Sequence, residues 1–267
     1  MKIDETGMVA HYSKLSNLAN ILHDGRVRLG AVADMADPRE ASLEWIQTMG
    51  YGHECSYADQ KKAERLKTQF GQQLRLFCTA RPQTAKESHP SDCPLESATY
   101  GRPRMWAQYA GDTTGFCILL DREKFHAEIL KHASRPEYLI SGDVDYFPGL
   151  HYVGGGQEIP HGVEWSDEQL FKHMNDNFML HSVYLKKSVD WMHEREFRWL
   201  LFNEAGEPVF VSIQGSIKAV VLGWKFPENQ VSQAKMYCDK LGCECWAIEY
   251  WHSNFELTSL KSNTDER

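Results

Sequence analysis

Apolar positions along the chain alternate or recur at helical spacing, and this pattern divides the sequence into short strands and helices. The apolar and aromatic runs at Met8–Ser13 and Leu74–Thr79 predict strands. Between them, apolar residues recur every three or four positions over 14–23, which predicts an amphipathic helix. Gly25 stands where a glycine commonly ends such a helix.

The same reasoning places the remaining elements and gives a fold class. Further strands are predicted at 27–29, 115–120, 143–147, 197–202, 209–213, 217–222 and 245–250, and further helices at 39–49, 61–70, 125–132, 168–187 and 228–241. Residues 81–100 are rich in Pro, Ser and Thr and predict a long surface loop. No repeat or linker interrupts this order, so we expect a single α+β domain over 1–255 and a polar tail over 256–267. Its sheet is expected to be mixed or split, antiparallel in character and flanked by helices.

Composition and charge narrow the classes of function. A chain of 267 residues with 42% apolar residues can bury a full core without disulfides or a structural metal. The formal net charge of −8 gives no overall attraction to nucleic acid. The first residues are polar, and no apolar window approaches the length of a membrane span. A cytoplasmic protein without membrane contact is therefore expected.

The seven cysteines are an odd number spread over a long chain, which predicts reduced thiols. Cys78 and Cys117 lie in apolar runs and are expected in the core. Cys238, Cys243 and Cys245 form a loose C-x4-C-x-C cluster. Because no second C-x-x-C and no suitably spaced His accompanies it, a zinc site is not expected, although the sequence leaves metal binding by these three open.

Five local patterns, taken together, resemble a bacterial family catalogued only as a domain of unknown function. They are His11-Tyr12 before a helix and Gly25; Asp37-Pro38-Arg39-Glu40; Cys78-Thr79 closing a strand; Met105-Trp106-x-x-Tyr109 before Gly115-Phe116-Cys117; and Lys187-x-x-x-Trp191-x-x-Glu194-x-Glu196-x-Arg198. Thr79 and Gln108 depart from the pattern, where Ser and His are commoner. The resemblance implies a fold and a role in defence or stress, but no chemistry.

The first strand and helix are also similar to the first motif of ADP-ribosyltransferases. In that superfamily a His or Arg on this strand binds NAD. The resemblance therefore implies an ADP-ribosyltransferase-like fold in which His11 and the adjacent Tyr12 lie at a dinucleotide site. An imidazole offers both a donor and an acceptor at neutral pH, which suits a ribose hydroxyl or a phosphate. The alternative, a core or capping histidine bound to backbone, stays open.

Glu194-Arg195-Glu196 is similar to the E-x-E signature that ends many ADP-ribosyltransferase sites. On an extended segment, residues two apart point to the same side, so both carboxylates would face one cleft. The resemblance implies that Glu196 stabilises the oxocarbenium-like charge that develops on the ribose, while Glu194 positions or deprotonates the acceptor. The alternative is a solvated ladder of ion pairs that includes Arg195 and Arg198.

Other residues fit the same site more loosely. Thr79 closes a strand, and Trp106 and Tyr109 could stack on nicotinamide, although core packing explains both rings as well. Arg39 could bind a pyrophosphate through its planar fork, or it could simply follow the start of a helix at Pro38.

The sequence thus favours an enzyme that consumes NAD as substrate and transfers ADP-ribose to an unidentified macromolecular acceptor, with no metal. Such an enzyme could be a toxin or an anti-phage effector with an antitoxin or defence-system partner. Two alternatives remain. One is a metal-dependent nuclease that uses Asp37, Glu40, Glu194 and Glu196. The other is a non-catalytic module that senses a ligand for a defence system.

Overall fold

The structure, a computed structural model, describes residues 3–35, 37, 41, 57–84, 98–148, 166–176, 179–251 and 254–260. Arg39, nearly all of the helix predicted over 39–49 and most of the loop predicted over 81–100 lie outside these residues. Among the helices in these ranges, none has the length and apolar character needed to cross a membrane.

Most strands follow the apolar runs of the sequence. The described ranges contain β1 (Met8–Ser13), β2 (Arg26–Ala31), β3 (Leu74–Ala80), β4 (Phe116–Asp121), β5 (Leu139–Asp143), β6 (Asp145–Phe147), β7 (Lys186–Ser188), β8 (Glu196–Phe202), β9 (Val209–Ser212), β10 (Ile217–Leu222), β11 (Glu244–Trp251) and β12 (Asn254–Ser259). Strands β5, β7 and β12 were not predicted. The tail predicted from residue 256 begins inside β12, because residues 254–259 pair with β11 as an antiparallel hairpin.

The helices differ from the prediction at three places. The helices are α1 (Tyr57–Gln73), α2 (Pro103–Tyr109), α3 (Arg122–Leu130), α4 (Asp167–Asp176), α5 (Met179–Tyr184) and α6 (Glu228–Leu241). One of the three differences is α2, which was not predicted. The predicted helix over 14–23 is instead a 3-10 turn, Leu15–Asn17, followed by a π-helix, Ala19–His23. Short 3-10 turns are common in connectors, whereas a π-helix is rare, and here the two together return the chain to β2. The predicted helix over 168–187 ends early, and its last residues form β7.

Strand β3 is the branch point of a split, mostly antiparallel sheet. Its full length pairs with β8, which in turn pairs with β5. Its other edge is shared: Leu76 pairs with Gly30 of β2, whereas Ala80 pairs with Ala10 of β1. From β1 the sheet continues through β4, β10, β11 and β12, and the β10–β11 pair is parallel. The α+β class and the mixed, split character of the sheet are therefore confirmed.

Side chains alternate between the two faces of this sheet, and each face carries its own core. In β4, Phe116, Ile118 and Leu120 belong to one apolar cluster, whereas Cys117 and Leu119 belong to another. We call the side of Phe116 face A and the side of Cys117 face B. Helices α3 and α6 cover face A, and α2 covers face B.

The alternation continues into β8, at the other end of the branch. Trp199 and Leu201 join the face A cluster, whereas Leu200 and Phe202 lie on face B beneath α1, α4 and α5. Glu196 and Arg198 share the parity of Leu200 and therefore lie on face B as well.

Two glycines allow the backbone to cross closely where β1, β4 and β10 meet the loop after α2. A Cβ atom at Gly115 would lie 2.2 Å from the carbonyl oxygen of Ser13, and one at Gly223 would lie 2.1 Å from that of Thr113. The amide of Gly223 donates to the carbonyl of Gly115 at 3.0 Å. No other residue type fits these positions without moving the backbone.

We expect Gly115→Ala to lower the free energy of unfolding by about 3 kcal/mol, because the added methyl group overpacks against rigid backbone. Gly30→Ala is the matched control, since its nearest atom would lie 3.8 Å away. Urea unfolding followed by tryptophan fluorescence measures both variants. Equal effects of the two substitutions would contradict this account of Gly115.

Candidate active site

The turn between Glu194 and Glu196 brings their carboxylates together. Glu194 is the last residue of a 3-10 helix, Val189–Glu194, and Glu196 is the first residue of β8. Between them, Arg195 adopts a left-handed conformation with φ of 44°. The prediction of an extended E-x-E segment is therefore wrong, although the two side chains do converge. A left-handed residue, rather than the two-residue strand period, turns both to one place.

Backbone contacts from a second loop hold this turn. The buried guanidinium of Arg102 donates to the carbonyl of Glu194 at 2.8 Å and also to the carbonyl of Arg81. The amide of Arg81, in turn, donates to the carbonyl of Arg195 at 2.8 Å. Arg102, just before α2, thus ties the end of β3 to the turn before β8. It acts on the backbone of the turn and not on either carboxylate.

Two cations pair with the two carboxylates in the interior. The ammonium of Lys187, on β7, lies 2.7 Å from Oε2 of Glu194 and 2.7 Å from Oε1 of Glu196. Arg198 binds Glu196 through two nitrogens, with Nε 2.6 Å from Oε2 and Nη2 3.0 Å from Oε1. Its remaining Nη1 donates to the carbonyl of Tyr184 at 2.9 Å. Glu194 and Glu196 are only 1% and 4% exposed, so these ion pairs are shielded from water.

Aromatic residues border the ion pairs. The hydroxyl of Tyr109, at the end of α2, donates to Oε1 of Glu194 at 2.6 Å. The hydroxyl of Tyr146, on β6, accepts from the amide of Glu196 at 2.8 Å. Lys187 lies 4.4 Å from the centre of the Trp191 ring, in a cation–π contact. We refer to Glu194, Glu196, Lys187, Arg198 and Tyr109 as the carboxylate cluster.

The cluster separates the acidities of the two carboxyl groups. Burial and a hydrogen bond with Glu196 raise the pKa of Glu194, against the opposing effect of Lys187. Burial also disfavours the charge on Glu196, but Arg198 and Lys187 outweigh it and lower the pKa of Glu196 well below its usual range. As pH falls, the pair therefore takes up its first proton on Glu194, while Glu196 stays ionised. Such divergent pairs are typical of acid–base sites.

The donors of the cluster keep their protons. Burial alone would lower the pKa of Lys187, yet the neighbouring carboxylates of Glu196 and Glu194 raise it above its ordinary value. Burial and the hydrogen bond to Glu194 raise the pKa of Tyr109 far above its ordinary value. Lys187 therefore remains a cation and Tyr109 a neutral hydrogen-bond donor at neutral pH.

His11 lies on the other side of the sheet from the carboxylates. Its neighbour Ala10 belongs to the face B core, and its own ring stacks on Phe77 of the face A core with ring centres 4.6 Å apart. Its Nδ1 bonds the carbonyl of Cys78 at 3.0 Å. Desolvation lowers the pKa of His11, which keeps the ring neutral. These contacts match the alternative of a histidine bound to backbone, and the structure does not bring His11 to Glu196.

Of the other residues predicted for the site, some contact the carboxylates and others pack in the core. Thr79 shares the parity of Phe77, and its hydroxyl donates to the carbonyl of Phe197 at 2.8 Å. Tyr12 and Trp106 pack edge to face in the face B core, where Tyr12 donates to the carbonyl of Thr99 and Trp106 to that of Tyr100. Of the sequence-predicted set, the structure brings together Glu194, Glu196 and Tyr109.

Several residues of the site had no role assigned from the sequence. Lys187, Trp191 and Arg198 stood in the motif that carries the family resemblance, and their fixed spacing to Glu194 and Glu196 was the available signal. Arg102 and Tyr146 carry no sequence signal, because only the fold brings their segments to the turn. In the described part of the chain, no group of three or more His, Cys, Asp or Glu side chains is placed to hold a metal ion.

Residues 105–199 match the model of a family described as "Protein of unknown function (DUF2971)". This match confirms the predicted resemblance to an uncharacterised family, and the matched region contains every member of the carboxylate cluster. Comparisons with curated proteins and with solved structures gave no match.

Glycine should replace Arg195 more readily than valine, because left-handed backbone is strained for a β-branched residue by about 1–2 kcal/mol. The buried Nη1 of Arg195 has no hydrogen-bond partner among the described residues, so little is lost with the side chain. We expect urea unfolding to show Arg195→Gly at least as stable as the parent, and Arg195→Val less stable than Arg195→Gly by about 1–2 kcal/mol. A stable valine variant would contradict the role of the left-handed turn.

The raised pKa of Glu194 predicts a definite pH dependence of stability. Because the folded state holds this proton more tightly than the unfolded chain, the contribution is complete below the unfolded pKa of about 4.3 and is lost as pH rises through the folded pKa. The unfolding free energy of the parent minus that of Glu194→Gln should therefore fall as pH rises above about 4.3. Urea unfolding at several pH values measures this difference, and a constant difference would argue against it.

Proposed function

We propose that the carboxylate cluster is the catalytic centre of an ADP-ribosyltransferase-like enzyme that cleaves the bond between nicotinamide and ribose in NAD. The observation that carries the proposal is the convergence of two buried carboxyl groups, with opposed pKa shifts, on the ammonium of Lys187. The family match and the fold are compatible with this activity but do not assign it.

Glu196 has the properties needed to stabilise positive charge. Departure of nicotinamide leaves an oxocarbenium-like ribose, and a fixed carboxylate beside C1′ lowers the energy of that state. Arg198 holds both oxygens of Glu196, so the carboxylate is oriented before the substrate arrives. Its low pKa keeps it ionised at neutral pH.

Glu194 is proposed to act on the acceptor. An acceptor hydroxyl attacks C1′, the electron pair of the C1′–N bond leaves with nicotinamide, and the hydroxyl proton passes to Glu194. A carboxylate with a raised pKa is a stronger base than an ordinary one, and a pKa near the working pH favours general base catalysis. Tyr109 and Lys187 hold Glu194 in position through one oxygen each.

The aromatic border gives the side from which a substrate would enter. Tyr109, Tyr146 and Trp191 are half-buried, unlike the carboxylates behind them. Flat rings suit a nicotinamide or adenine base. This proposal gives no role to His11, which lies on the opposite face of the sheet. The acceptor is proposed to be a protein or a nucleic acid, in a toxin or anti-phage effector controlled by an antitoxin or another defence partner.

One observation favours a second candidate, a module that binds a ligand without turning it over. Every carboxylate oxygen of Glu194 and Glu196 already accepts from Tyr109, Lys187 or Arg198. A satisfied network of this kind can hold a fold rigid without chemistry. The nuclease alternative gains no such support, because among the described residues no group of three or more His, Cys, Asp or Glu side chains is placed to hold a metal ion.

The test is incubation of the purified chain with NAD labelled in its adenylate phosphate, in the presence of a cell lysate. We expect release of nicotinamide, measured by chromatography, and transfer of the label to a macromolecule. Glu196→Gln should lower the rate at least about 100-fold, since it removes the stabilising charge. Tyr109→Phe should lower it about tenfold, since it removes one hydrogen bond to Glu194.

Glu249→Gln, an exposed glutamate on β11, is the matched control and should keep the parent rate. Thermal unfolding shows whether each variant is folded. Tyr109→Phe is the informative variant if Glu196→Gln does not fold, because only a hydroxyl is lost. Binding of NAD in calorimetry without nicotinamide release would support the sensor, and the absence of both would reject NAD as the ligand.

A further inference from the structure

Three cysteines converge at the end of α6, far from the carboxylate cluster. The helix ends at Gly242, which has φ of 68°. The amide of Gly242 donates to the carbonyl of Asp239 at 3.2 Å, and the amide of Cys243 donates to the carbonyl of Cys238 at 3.0 Å. This pair of bonds defines a Schellman motif, which places the side chain after the glycine against the last helical turn. Cys243 is therefore brought back to Cys238.

The next strand adds a third sulfur. Cys245 is the second residue of β11 and pairs with Val220 of β10. Cys238 and Cys245 belong to the same face A cluster, and Cys243 packs against it. The thiol of Cys238 interacts with the thiols of both Cys243 and Cys245. Cys238 is fully buried, Cys245 is 9% exposed and Cys243 is half-buried, so the sulfurs lead from the surface to the face A core.

These contacts shift the pKa values of Cys245 and Cys238 in opposite directions. The interaction with Cys238, helped by the charge of Lys235, lowers the pKa of Cys245 against the opposing effect of burial. The interactions of Cys238 with Cys243 and Cys245, together with burial, raise the pKa of Cys238. Since a thiolate reacts with peroxides far faster than a thiol, Cys245 is the sulfur prepared for oxidation.

We propose that Cys238, Cys243 and Cys245 form a peroxide-reactive thiol site whose product is a disulfide that contains Cys238. The Cys245 thiolate attacks one oxygen of a hydroperoxide, the O–O bond breaks, and hydroxide leaves, which produces a sulfenic acid. The sulfur of Cys238 then displaces the sulfenic oxygen as water and forms the disulfide, so that two thiols are oxidised and one peroxide is reduced.

Cys243 extends the site to the surface. Because it contacts Cys238 as well, its thiol can exchange with Cys245 in the disulfide without further oxidation. Three strands and the branch strand β3 separate this site from β8 in the sheet. The proposal therefore does not depend on the activity of the carboxylate cluster.

Peptide mapping of the intact chain tests the proposal. The reduced protein is treated with a small excess of hydrogen peroxide, the remaining thiols are alkylated, and trypsin is added. Cleavage after Lys235, Lys240 and Lys261 separates Cys238, in peptide 236–240, from Cys243 and Cys245, in peptide 241–261. We expect these two peptides joined by a disulfide, at least about tenfold more than in untreated protein, and released by dithiothreitol.

Variants identify the partners. Cys238→Ala should abolish the joined peptide, and Cys78→Ser, a half-buried cysteine of β3, should leave it unchanged. Cys245→Ser should slow the reaction more than Cys243→Ser, because it removes the thiolate. If the treated parent chain yields both peptides fully alkylated, or yields only sulfinic and sulfonic acids, the three cysteines are merely apolar packing at a helix end and the proposal is wrong. The parent result decides this even if a variant does not fold.

Discussion

The burial of four ionisable side chains at one turn constrains everything around it. Removing a charge from water costs several kcal/mol, and this cost is offset only where partners lie in good geometry. Glu196 meets that condition through Arg198 and Lys187, and Glu194 meets it through Lys187 and Tyr109. Loss of one partner would leave another charge buried and unpaired. These contacts therefore join α2, β7 and β8 at the turn, in addition to the apolar packing.

The same constraint explains why the site is assembled from backbone as well as side chains. Arg102 uses its guanidinium on the carbonyls of Glu194 and Arg81, so that the turn cannot rotate away from its cations. The left-handed Arg195 then points both glutamates inward. A surface ladder of ion pairs, the alternative that the sequence left open, would need none of these supports. Because these supports are present, the turn belongs to the packed interior and not to a solvated surface.

The sequence predicted the strands well and the site only partly, for physical reasons that differ. Apolar runs such as 116–121 and 217–222 bury both faces of a central strand, so their pattern is strong. The pairing of Glu194 with Glu196 was found, but through an assumed extended backbone that the structure replaces with a turn. His11 was placed with the carboxylates because strand parity relative to a distant strand cannot be read locally. Tyr146 and Arg102 were missed because only tertiary structure brings them in.

The branch at β3 has a consequence for how the chain folds. This one strand pairs with β1, β2 and β8, whose residues lie from a few dozen to more than a hundred positions away. Each such pairing closes a long loop, and the chain loses conformational entropy before stabilising contacts form. This order of events slows folding. Strand β3, which includes Cys78 and Thr79, can therefore pair along its full length only after β8 has been synthesised. A ribosome-bound chain that ends before β8 would leave this edge of β3 unpaired, and unpaired edges attract other strands.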